Sequence, residues 1–185
     1  MPEKYQNIRN LRDVGQGINT LLKAKVLQEG VLFRSGALDK VEDPNELPRV
    51  NTIINLRRTP DPALGRGDNI SAAPLETMNN YMVEEPVFKE WIQRVFASLL
   101  RAKWPVLLHC TAGKDRTGVV VAILLRNIGI PDRAIVDEYL LSDGRCYRES
   151  MVGLLRKFAS NRQLLMEEEA KRELRRKLYA EGLQR

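Results

Sequence analysis

The stretch Trp104-Pro105-Val106-Leu107-Leu108-His109-Cys110-Thr111-Ala112-Gly113-Lys114-Asp115-Arg116-Thr117-Gly118-Val119-Val120-Val121 constrains the fold more than any other part of the chain. Val106 to Leu108 form a short continuous apolar run, the pattern of a strand buried on both faces in a parallel sheet. From Thr117 onward, Val119, Val120, Ala122, Ile123 and Leu124 continue without a breaker to Gly129-Ile130-Pro131. That run is long enough for a buried helix and too long for a second strand. The residues between must form a loop at a helix N-terminus.

Such a loop has a definite chemistry. The first turn of a helix carries unpaired N–H donors and about half a positive charge, which together make an anion site. A cysteine held there, Cys110, is favoured as the nucleophilic thiolate by those N–H groups and by Arg116. Arg116 lies six positions after the cysteine and can return across the loop to hold two phosphoryl oxygens with its planar fork. Gly113 lets the backbone curl so that the successive N–H groups of Thr111, Ala112, Gly113 and Lys114 point inward at a substrate phosphate. The plain alternative is an inert buried thiol beside an ordinary turn glycine, which the number of coinciding residues argues against.

The arrangement H-C-x-x-G-x-x-R at positions 109 to 116 resembles the signature of the cysteine-dependent tyrosine and dual-specificity phosphatase superfamily. Its longer form, H-C-T-A-G-K-D-R-T-G, resembles a branch of bacterial-type phosphatases that act on phosphotyrosine and on phosphoinositides. Two further pieces, Asn7-Ile8-Arg9-Asn10-Leu11-Arg12-Asp13-Val14-Gly15 and Gly30-Val31-Leu32-Phe33-Arg34-Ser35-Gly36-Ala37-Leu38, resemble the N-F-R-D-x-G and x-R-S-G elements of that branch. Gly15-Gln16-Gly17 departs from its paired glycines. The resemblance implies phosphoryl transfer in two steps through a phosphocysteine. Cys110 attacks in line, while Arg116 and the loop N–H groups bind the equatorial oxygens. His109 fixes the loop and the thiolate by hydrogen bonds, and Thr117 offers its hydroxyl toward Cys110.

Most of the superfamily carries its general acid, an aspartate, after the third strand. This chain has Glu76-Thr77 there. Asp115, five residues from Cys110, is therefore expected to serve as general acid and then as general base, with Glu76 as its rival. The plain alternative for Asp115 is a helix N-terminal acid favoured by the dipole. Loss of the cysteine or the arginine would mark a phosphatase relative without turnover, and both are present. A binding module for phosphorylated ligands is the competing class. Rhodanese-like sulfur transfer also uses a cysteine in a curled loop, but the H-C-x-x-G-x-x-R arrangement speaks against it.

Parallel strands separated by helices imply an α/β fold: a small central, mostly parallel sheet flanked by helices, as in the cysteine phosphatases. At 185 residues, 43% apolar and 29% charged, the expectation is one phosphatase domain over 1–185. No apolar run approaches the ~18 residues of a membrane span. Met1 to Tyr5 lack the apolar core of a signal peptide, so the expected location is the cytoplasm. No cofactor and no metal are expected, because His109 is the only histidine and a zinc cluster would lack its usual partners. Cys146 reads as a packing residue, although some phosphatases of the superfamily protect the nucleophile by a disulfide to a second cysteine.

The net charge of +6 suits a phosphorylated protein or a phosphoinositide as substrate. No zinc-finger spacing, RNA-binding signature or basic stripe accompanies it, so no nucleic acid is expected. Arg57, Arg58 and Arg66, with Lys114, are candidates for holding a second phosphate; exposed loop arginines are the plain alternative. Strands are predicted at 31–33, 52–56 and 70–75, with at most a short helix in 42–49. Helices are predicted over 85–102, 131–141 and 149–158, and a charged, solvated one over 163–183 with a Leu164, Leu165, Leu174, Leu178 edge. Asp13 is expected in a turn.

Overall fold

The structure, a computed structural model, describes residues 7–75, 80–160 and 165–183. Glu76, Thr77, Gln163 and Leu164 lie outside the described residues. Five strands form one sheet: β1 (Arg12–Asp13), β2 (Leu32–Ser35), β3 (Thr52–Asn55), β4 (Asp68–Ser71) and β5 (Val106–His109). Their order is β1-β2-β5-β3-β4, with only β1 antiparallel to its neighbour. The expected α/β architecture is therefore the observed one.

Strand β5 is central, and its alternation explains its unbroken apolar sequence. Successive side chains of a strand point to opposite faces. Val106 and Leu108 join Ile54 in the larger core cluster, which also takes its buried residues from the helices. Leu107 joins Ile53 in a smaller cluster with Ile8, Leu11, Leu38, Val41 and Leu47. That second face is covered by the segment after β2, including a 3-10 turn at Pro44–Glu46 capped by Asp43.

The helices are α1 (Val14–Leu22), α2 (Pro86–Arg101), α3 (Asp115–Ile128), α4 (Asp132–Leu140), α5 (Arg148–Ser160) and α6 (Glu168–Leu178). In α2 the apolar stripe of Phe88, Trp91, Ile92, Val95, Phe96 and Leu99 is buried, and Leu100, at the end of the same stripe, is half-buried. Phe88 and Trp91 meet edge to face at 5.8 Å, and Trp91 Nε1 donates to the Ala72 carbonyl at 2.8 Å. Each such large apolar side chain contributes about 1.5–3 kcal/mol by leaving water. Helix α3 ends where Gly129 adopts φ 100° and its N–H turns back to the Arg126 and Leu125 carbonyls. Among the described residues no helix is long and apolar enough to cross a membrane.

Four elements differ from the sequence-based expectation: β1, in which Asp13 pairs with Phe33 where a turn was expected, and α1, β4 and α6. Helix α1 was not anticipated, because Gly15 and Gly17 lower helix propensity in the stretch after Asp13. Tertiary packing overrides this: Val14 and Ile18 are fully buried, and a Cβ on Gly15 would run into the Gln28 carbonyl. Asp13 caps the helix by accepting from the N–H groups of Gly15 and Gln16, and it also accepts from Gly30. Strand β4 is Asp68–Ser71, earlier than the expected 70–75, because it pairs residue for residue with β3 and stops where β3 stops, at Asn55.

Helix α6 covers only 168–178 and is docked rather than solvated along its apolar edge. Leu174 and Leu178 are buried, and Tyr179 donates its hydroxyl to the Ile128 carbonyl at 2.8 Å. Backbone bonds from Gln28 to Leu178 and from Ala180 to Val26 tie the end of α6 to the loop before β2.

Candidate active site

The register Ser35–His109–Asn55 places the carboxyl ends of β2, β5 and β3 side by side. In open α/β sheets that edge is where ligands bind. Cys110 leaves the middle strand there, buried at 3% exposure. The following loop is held from outside through its carbonyls. His109 O accepts from Leu56 N at 2.8 Å, Thr111 O from Ala37 N at 3.0 Å, Ala112 O from Asn10 Nδ2 at 2.7 Å, and Gly113 O from Arg34 Nη2 at 2.9 Å.

In a trans peptide plane the N–H points opposite to the C=O. Pinning those four carbonyls outward turns the N–H groups of Cys110, Ala112, Gly113 and Lys114 to the concave side. Among the described residues, those of Ala112, Gly113 and Lys114 donate to no protein acceptor. The first turn of α3 then adds the N–H groups and the positive dipole end that begin at Asp115. Gly113 has φ 67°, and a Cβ there would overlap Ser35 and Gly36, so the loop can lie against β2 only with glycine. Arg116 is anchored by Nη1 to the Leu56 carbonyl at 2.7 Å, beside the end of β3.

Arg34 is fully buried. Glu138 on α4 shares its two carboxylate oxygens between Arg34 Nη1 and Arg12 Nε, and Arg12 also reaches Ser142 Oγ at 2.9 Å. Asn10 clasps the loop and also accepts from Asp143 N at 2.7 Å. Asn10, Arg12 and Arg34 are thus what the N-F-R-D-x-G and x-R-S-G elements supply to the loop, bracing it from behind, while Asp13 of the same element caps α1. Their motifs were visible in the sequence, but their roles were not, and nothing local marked Glu138.

His109 directs its Nε2 at Asp61 Oδ2, 2.8 Å away, and both side chains are wholly buried. Asp61 also accepts from Arg57 Nη2 at 2.8 Å, and Arg57 reaches Asp39 with 2.7 Å bonds from both terminal nitrogens. Burial pushes the Asp61 carboxyl upward, but the hydrogen bonds and charges of His109 and Arg57 outweigh it and hold it below the usual carboxylate range. Arg57 is raised above its ordinary value, first by its bonds to Asp39. The side chain of His109 is thus held by Asp61, a residue with no sequence signal.

Asp115 accepts from the Tyr81 hydroxyl at 2.9 Å, and Lys114 Nζ lies 3.7 Å from its other oxygen. Lys114 also donates to the Arg145 carbonyl at 2.9 Å. Thr117 is fully buried, and its hydroxyl makes no bond among the described residues. Arg58 donates to the carbonyls of Pro74 and Leu75, and Arg66 to those of Leu47 and Pro48. With Arg57 committed to two aspartates, all three arginines have backbone or carboxylate partners within the chain. Cys146 is a free thiol packed at the end of α4, its sulfur 3.4 Å from the Ser142 carbonyl, and Cys110 is likewise free. Among the described residues no group of three or more metal-ligating side chains occurs.

A mostly parallel sheet that delivers a buried cysteine into such an N–H-lined loop is the cysteine-phosphatase fold. The chain belongs to the tyrosine phosphatase family, whose model matches residues 4–178. It is 47% identical over 58 residues to a tyrosine-protein phosphatase of Nostoc commune, covering 31% of this chain and 19% of that protein. It is 54% identical over 46 residues to the triple specificity protein phosphatase PtpB of Mycobacterium tuberculosis, covering 25% and 17%. These two matches span about a fifth of those relatives. A putative tyrosine-protein phosphatase of Cupriavidus necator is 28% identical over 186 residues, covering 82% of this chain and 67% of that one. Among solved structures, the core catalytic domain of the PP-IP phosphatase SIW14 of S. cerevisiae, in complex with citrate, shares the fold with a TM-score of 0.52. It is 17% identical, over 75% of this chain and 93% of that one.

Proposed function

We propose that this protein is a metal-independent cysteine phosphatase, one domain over 1–185 acting in the cytoplasm. It hydrolyses phosphate monoesters, phosphotyrosine foremost, through a phosphocysteine. The observation that carries this reading is the outward pinning of four loop carbonyls around Cys110, which preorganises N–H donors for the charge of a phosphoryl group. In the first step the Cys110 Sγ–P bond forms as the P–O bond to the leaving group breaks. Asp115 gives its proton to the leaving oxygen. In the second step water attacks phosphorus, the S–P bond breaks, and the Asp115 carboxylate takes the water's proton. Arg116 and the N–H groups of Thr111, Ala112, Gly113 and Lys114 hold the equatorial oxygens throughout. The buried Thr117 hydroxyl, uncommitted among the described residues, supports a role in stabilising the departing thiolate.

The test is phosphate release from p-nitrophenyl phosphate and from a phosphotyrosine peptide, with and without EDTA. The wild type should turn over both equally well in EDTA, and Cys110→Ser should lose activity at least about 10³-fold. Full activity in Cys110→Ser, or dependence on a divalent ion, would exclude the mechanism. A second reading, phosphoinositide hydrolysis, draws on Lys114 in the loop. Of the four cations first considered for a second phosphate, Lys114 is the one within the signature loop, and Arg57 is committed to Asp39 and Asp61.

A further inference from the structure

Tyr81 lies between β4 and α2, Tyr139 lies on α4, and neither belongs to the signature. The Tyr81 hydroxyl donates to Asp115 Oδ1 at 2.9 Å, and the two tyrosine oxygens are 2.8 Å apart. Tyr81 has one hydroxyl proton to give. With that proton on the carboxylate side, the second bond forms only if Tyr139 is the donor. The bonds therefore run from Tyr139 to Tyr81 to Asp115. Burial foremost, and with it the bond to the Asp115 carboxylate and its charge, push the Tyr81 hydroxyl far above the ordinary tyrosine range. Tyr139 is raised as well, first by burial. Both stay protonated donors wherever the enzyme works.

The last glycine of the signature has a place in the same arrangement. A Cβ on Gly118 would lie 2.8 Å from Cδ2 of Tyr139, so glycine is what allows that ring to rest on the first turn of α3. The turn that carries Asp115 is also the turn that seats Tyr139.

We propose that Tyr81, backed by Tyr139, is the positioning residue of the general acid: it holds Oδ1 of Asp115, so that the exchanged proton travels on Oδ2. This rests on the reading of Asp115 as the acid. Tyr81 keeps its own proton in both steps. The proton on Oδ2 goes to the leaving oxygen as the P–O bond breaks, and one returns to Oδ2 from the attacking water. Without the phenol the carboxyl can rotate, and the geometry on which proton transfer depends is lost for part of the time.

The test uses Tyr81→Phe, Tyr139→Phe and Asp115→Asn, singly and in pairs, on phenyl phosphate, a phosphotyrosine peptide and p-nitrophenyl phosphate. Tyr81→Phe should lower kcat/KM, which reports the first step, about 10-fold for the two substrates whose leaving group needs a proton, and stay within about 2-fold on p-nitrophenyl phosphate. Tyr139→Phe should show the same pattern at about 3-fold, and add nothing once Tyr81 is Phe. In the Asp115→Asn background Tyr81→Phe should change nothing. An equal loss on all three substrates, or a further loss in the Asp115→Asn background, would overturn the proposal. If Asp115→Asn shows the leaving-group dependence and Tyr81→Phe does not, only the positioning role fails. If Asp115→Asn itself lacks it, the acid assignment fails and the positioning role with it.

Discussion

His109 Nε2 and Asp61 Oδ2 meet at 2.8 Å with both side chains removed from water, one residue ahead of the candidate nucleophile. Through Arg57 the contact continues to Asp39 at the surface. The loop therefore starts from a buried, charged support whose carboxylate sits below its ordinary range.

Asp61→Asn should destabilise the protein by about 3 kcal/mol at neutral pH, the low end for removing one member of a buried pair, since asparagine keeps one acceptor. A carboxyl lowered in the folded state contributes stability above its unfolded value of roughly 3.9 and loses it as pH falls through the folded one. The gap between wild type and variant should therefore narrow below about pH 4. Urea unfolding at pH 7 and pH 3 measures it, and a gap independent of pH would refute the coupling.

Arg34→Lys keeps a charge near Glu138, but an ammonium cannot span both the carboxylate and the Gly113 carbonyl. Releasing that carbonyl lets the Lys114 N–H swing away from the phosphate. A fall of about 10-fold or more in kcat/KM on p-nitrophenyl phosphate is expected, with stability lower by about 1–3 kcal/mol for the buried groups left unpaired. Unchanged kinetics in a destabilised variant would separate Arg34 from the loop.

Gly113→Ala puts a side chain in a left-handed conformation and into the backbone of Ser35 and Gly36. The loop must shift by a sizeable fraction of an ångström, and displacements of about 1 Å cost on the order of 10² in rate. Inhibition by inorganic phosphate should weaken at least about 10-fold in the same variant. Circular dichroism should show the fold intact, because the core clusters do not include this residue.

Lys114→Ala separates the two substrate readings. Loss of its ammonium, which sits 2.9 Å from the Arg145 carbonyl and 3.7 Å from Asp115, should lower phosphoinositide hydrolysis about 10-fold more than phosphotyrosine hydrolysis if it holds a second phosphate. Equal losses measured by phosphate release would remove support for that second site.

What the sequence determined by itself was whatever depends on near neighbours. Cys110, Gly113 and Arg116 are six residues apart at most, so one local curl brings their chemistry together, and the apolar runs on either side dictate strand and helix without reference to the rest of the chain. The stripe of α2 was legible for the same reason, since its period of 3.6 already states which face is buried. What only the tertiary structure decided were the partners that no spacing encodes. Arg34 meets Glu138 across 104 residues, His109 meets Asp61 across 48, and Tyr81 meets Asp115 across 34. The length of β4 and the very existence of α1 belong with these, because a strand end is set by its neighbour's last hydrogen bond and a glycine-rich helix by the backbone packed against it. Local sequence signals the elements and the loop's chemistry; the side chains that hold the loop in shape act across space, and space is assigned only once the core has closed.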